Sequence, residues 1–120
     1  DNIFYMGSLI SCIESLLKFN NVLDCLILYP NNLSGDEETH AINLQKILNR
    51  NSQTIEKEIH YKLKNFKKYS KEEKAILLVF YGEITFSDSF DLNNWNNLLD
   101  ENLFNINIDK LKKDFLEILN

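Results

Sequence analysis

Apolar side chains recur every three to four residues over most of this chain, the spacing that lays one stripe along a helix. Over residues 3–19 the stripe is Met6, Leu9, Ile10, Ile13, Leu16 and Leu17, behind a candidate Asn2 cap, and Asn20-Asn21 closes it. Residues 22–29 are nearly all apolar, so periodicity does not separate a buried helix from a buried strand, and Pro30 ends the segment in either case. Ser34-Gly35-Asp36-Glu37 has the spacing of a capping box and predicts a helix to about Asn49, with Ala41, Leu44, Ile47 and Leu48 facing inward.

A further helix is predicted over 52–69, where Ile55, Ile59, Leu63 and Phe66 share a face. Its acids Glu56 and Glu58 come early and its lysines late, as the helix dipole favours. Ser70-Lys71-Glu72-Glu73 is a second capping box and starts a helix through Ala75, Ile76, Leu78, Val79 and Phe80. Gly82 then reads as a left-handed C-terminus, or, alternatively, Gly82-Glu83 is the turn of a β-hairpin over 78–86. Residues 91–100 align Leu92, Trp95 and Leu99, and residues 107–119 align Ile108, Leu111, Phe115 and Ile118, as two last helices. The prediction is a mainly α chain, one compact bundle of six to seven short helices over 1–120. Three Gly and one Pro are too few for the many tight turns of an all-β fold.

Composition supports one folded core: 44% of the 120 residues are apolar, with eight Phe, five Tyr and one Trp. Cys12 and Cys25 lie in apolar surroundings and are expected to be reduced, buried thiols. No run of about 20 apolar residues is present, and no signal-peptide pattern, so a cytoplasmic address without membrane association is expected. The opening Asp1, in place of Met, suits a trimmed chain or a piece of a longer one.

Motifs for chemistry are wanting. His40 and His60 stand 20 residues apart on separate predicted helices, and are expected at the surface or at caps. Cys12 and Cys25 have no electropositive neighbours to lower a thiol pKa. Three scattered glycines make no phosphate cradle, and a calcium loop starting at Asp91 fails at Trp95 and Asn96. The expectation is a protein that is not an enzyme, with no catalytic residues, cofactor or metal.

Charge is more informative. The net charge is −5, which disfavours nucleic acid as a partner. It is also unevenly spread, with six acids against Lys18 alone in residues 1–45 and six acids with no base in residues 83–109. Between them, residues 46–74 hold nine bases against four acids. The basic stretch 57–74, with Tyr61, Phe66 and Tyr69, has the composition of an RNA-binding or anion-binding surface, but is accounted for as the solvated face of one helix. The acids and rings after Gly82 have the chemistry of a docking surface for a cationic partner: Glu83, Asp88, Phe90, Asp91, Trp95, Asp100 and Glu101. The corresponding expectation is an acidic inhibitor, of the bacterial immunity type, that covers the active cleft of a basic toxin such as a nuclease. The alternative is a helical structural or regulatory module acting through self-association or helix-mediated partner binding.

Overall fold

The structure is a computed structural model and describes residues 6–20, 33, 35–88 and 90–120. Its elements are five α-helices: α1 (Met6–Phe19), α2 (Gly35–Lys62), α3 (Lys71–Phe86), α4 (Leu92–Asp100) and α5 (Ile108–Leu119), with a single 3₁₀ turn at Phe66–Lys68. The mainly helical class is as the apolar spacing predicts, with fewer helices than six to seven and no strand among the described residues. The segment 22–29 and the Ser34 cap lie outside the described residues.

Two predicted helices are one. α2 continues through Asn49, Arg50, Asn51 and Ser52 for 28 residues. Polar residues in series read as a stop, yet neither Gly nor Pro interrupts the backbone there. Asn51 turns its Nδ2 back to the Ile47 carbonyl at 2.9 Å, so its amide bonds within the helix and does not compete with it. The helix ends at Lys62 instead of reaching Tyr69, and Phe66 is drawn into the core by the turn that follows.

The hairpin over 78–86 does not form, and Gly82 does not end α3, which runs on to Phe86. Gly82 serves close packing. A Cβ at this position would stand 2.6 Å from Leu48 Cδ2, so the missing side chain lets α3 lie tightly against α2. That is the most extensive helix pair of the fold, and α1 packs on both members. The Ser70 capping box is formed as predicted: Ser70 Oγ accepts from the Glu73 N–H at 3.1 Å, and the Ser70 N–H donates to Glu73 Oε1 at 3.2 Å. Asp91 caps α4 through the Asn93 N–H, and Asn107 caps α5 through the Lys110 N–H. Glu37 spans two helices: the Gly7 N–H donates to its carboxylate at 3.1 Å, placing an acid on the positive end of α1.

The core is built from Leu9, Cys12 and Ile13 of α1, the apolar stripe of α2, most of α3, and Trp95, Leu98, Leu111 and Phe115. Phe80 is its hub, stacked on Phe115 at 3.9 Å between ring centroids and edge-on to Trp95 at 5.2 Å.

Candidate functional site

Among the described residues, the acidic side chain most deeply set in this core is that of Glu83. It lies one turn after Val79 and Phe80, so helical spacing carries it onto the inward face of α3, and only 1% of it is exposed. A carboxylate there is costly unless its oxygens find partners. Oε1 accepts from the Trp95 indole N–H at 2.7 Å, and His40 Nε2 stands 2.8 Å from Oε2 in an ion-pair contact that lacks hydrogen-bond alignment. Three helices, α2, α3 and α4, are thereby tied through one side chain.

A groove of about 590 Å³ opens above this network. One wall is a stripe of α2 that includes Asp36, Thr39, Asn43, Ile47, Arg50 and Asn51, and the other is Ser87-Asp88. From Asp36 to Asn51 the stripe covers about 22 Å of helix. Asp36 and Asp88 make one end acidic, Lys46 and Arg50 make the other basic, and hydroxyls and amides lie between. His40 sits at the floor with both ring nitrogens closed off from solvent. No group of three or more potential metal ligands occurs among the described residues.

Comparison with protein-family models, with curated proteins and with solved structures finds no match.

The docking surface expected around 83–104 is not assembled. Trp95 is fully buried and Glu83 nearly so, which corrects their assignment as exposed contacts. Phe90 is half-buried with its ring edge-on to Phe80 at 5.6 Å. Asp91 is occupied as the α4 cap, and Asp100 accepts from Lys112 Nζ at 2.8 Å. Asp88 and Glu101 are exposed, but Asp88 belongs to the groove and Glu101 follows the last turn of α4.

His40 was expected at the surface and is interior, at 7% exposure. The signal was present: His40 precedes Leu44 and Leu48 by one and two turns, on the apolar stripe of α2. His60 is exposed, and the two histidines share one helix about 30 Å apart instead of lying on two.

A second polar cluster joins α5 to the start of α3. Lys110 Nζ donates to Glu73 Oε1 at 3.0 Å and lies 3.4 Å over the Tyr69 ring. The Tyr69 hydroxyl donates to Asp114, whose Oδ2 is buried without a hydrogen-bond partner. Burial pushes the Asp114 carboxyl above its ordinary value, more than the Tyr69 bond and Lys110 hold it down. Burial also acts to raise Glu73, but bonds from Lys110 and the Ser70 N–H outweigh it and hold that carboxyl low. Burial and the neighbouring Asp114 raise the Tyr69 phenol.

Proposed function

We propose that the protein is a non-enzymatic binding domain that holds a short segment of a protein partner in the groove along α2. The observation that carries this is the lining, an open trough graded from carboxylate to amide to cation along about 22 Å of rigid helix. Six or seven residues of extended chain span that length at about 3.3 Å each. Asn43 can bond to peptide N–H and C=O groups, and Thr39 and Asn51, whose donors turn back to the Gly35 and Ile47 carbonyls, can accept through their oxygens, while the two charged ends fix direction. The buried His40–Glu83–Trp95 network supports the floor, so the site is rigid before a partner arrives.

Neutralisation of a basic toxin is a narrower form of this proposal. Its contacts would come from Asp36, Glu38 and Asp88, since Trp95 and Glu83 are interior while Asp91 and Asp100 are engaged as a cap and in an ion pair.

Panning a displayed peptide library on the wild-type chain, with counter-selection on an Asn43→Arg variant, tests the proposal. Enriched peptides should carry an acid toward one end and lose about tenfold or more in affinity to Arg50→Glu, the scale of one charge pair made repulsive. Enrichment of uniformly basic peptides, weakened by Asp36→Asn and Asp88→Asn, would favour the toxin form. Peptides that bind wild type and the groove variants equally would place binding elsewhere.

A further inference from the structure

α2 has 28 residues, about 41 Å at the rise of an α-helix, and the long dimension of the molecule is 38 Å. The helix therefore runs from one pole of the molecule to the other, and its ends differ in charge. Asp36, Glu37 and Glu38 open it, and Asp36 lines the groove together with Asp88. At the far pole, Lys57, Lys62, Lys64, Lys67, Lys68 and Lys71 surround the turn from α2 to α3, and none of them is ion-paired to a described residue.

As the outer face of a helix over 52–69, these lysines would be spread along a rod and need no partner. The helix stops at Lys62, however, and the chain folds round through Phe66. Lys64, Lys67 and Lys68 are thereby gathered at the end of the molecule beside the others, around Tyr61, whose side chain is 85% exposed. Compensation of the negative helix terminus accounts for a base or two within the last turn, not for six. Of the acids near this pole, Glu56 faces His60 at 3.8 Å, Glu73 is held by Lys110 and Asp114 is buried beside Tyr69, which leaves Glu58 and Glu72.

We infer that this lysine pole is a docking surface for an anionic lipid bilayer, which reverses the expectation of no membrane contact. Lysine is a point charge on a flexible stem and attracts an anionic leaflet without requiring a matched geometry. A tyrosine ring is among the side chains that settle at the level of the headgroups. The acidic pole lies several screening lengths of about 8 Å away, so the overall charge does not oppose contact made end-on with a plane. Single-stranded nucleic acid is the weaker fit, because it is bound along grooves with successive stacking rings, and among the described residues this pole exposes Tyr61 beside a His60 imidazole already packed edge-on against Phe66. No described helix is long and apolar enough to cross a membrane, so the contact is one of the surface only.

The test is cosedimentation of the full chain with vesicles of phosphatidylserine and phosphatidylcholine in equal parts, with pure phosphatidylcholine vesicles in parallel. Binding is expected to the mixed vesicles alone and to weaken as salt is raised. The triple variant K64Q/K67Q/K68Q should lower partitioning roughly a hundredfold, with an unchanged circular dichroism spectrum because all three side chains are exposed. Tyr61→Ala should lower it several-fold, and the control K112Q/K113Q should leave it as it was. No binding at low salt, equal binding to both vesicles, or a triple variant that binds like wild type would overturn the inference. So would capture of a single-stranded RNA oligonucleotide while the vesicles stay bare. None of these readouts involves the groove.

Discussion

Glu83 shows how one misplaced side chain changes a functional reading. Placed in a turn it is a surface acid, and placed on a helix it is the centre of a buried network with Trp95 and His40. Glu83→Ala would leave an indole N–H and a histidine enclosed without that partner, and should cost on the order of 3 kcal/mol in urea unfolding. The all-apolar combination His40→Leu, Glu83→Met and Trp95→Phe should recover much of that loss, because no polar group of the network is then left alone. Asp114 offers a test with pH. Its folded pKa is raised, so its unfavourable contribution is absent in acid and grows as pH rises through the carboxylate range. Asp114→Asn should therefore stabilise the protein at neutral pH, with the gain shrinking toward about pH 4. Glu73 is held low and has the opposite sign, so the loss caused by Glu73→Gln should be present at neutral pH and fade on acidification.

Helices with explicit end signals were readable in the sequence. Ser70, Asp91 and Asn107 each cap a helix close to where the spacing places it. Ser70→Ala should lower stability by about 1 kcal/mol. What spacing alone did not reveal was continuity. Asn49 to Ser52 looks like a boundary and is helix, because a run of moderate helix formers is overridden when both flanks are packed. Gly82 looks like an end and is interior, because its role depends on Leu48, a residue 34 positions away. The coupling between them is measurable. Gly82→Ala brings a Cβ against Leu48 and should destabilise despite alanine's better propensity of about 1 kcal/mol. In a Leu48→Ala background the same change should be neutral or favourable, and strictly additive effects would contradict the packing role.

Over the whole chain, the distribution of charge along the sequence was legible but its arrangement in space was not. The acids after Gly82 are divided between core, cap, ion pair and groove by helix phase, while the turn after Lys62 collects lysines that a longer helix would have spread. The groove itself combines α2 with Ser87-Asp88, a juxtaposition that no local pattern encodes. The groove depends on Trp95 and Glu83 being turned inward beneath His40. Trp95 is the only tryptophan, so its fluorescence reports this directly. Emission should lie well to the blue of free tryptophan and resist acrylamide until the chain unfolds in urea. Red-shifted emission, quenched as readily in the native protein as in the unfolded one, would contradict the inward placement and return the segment to the surface.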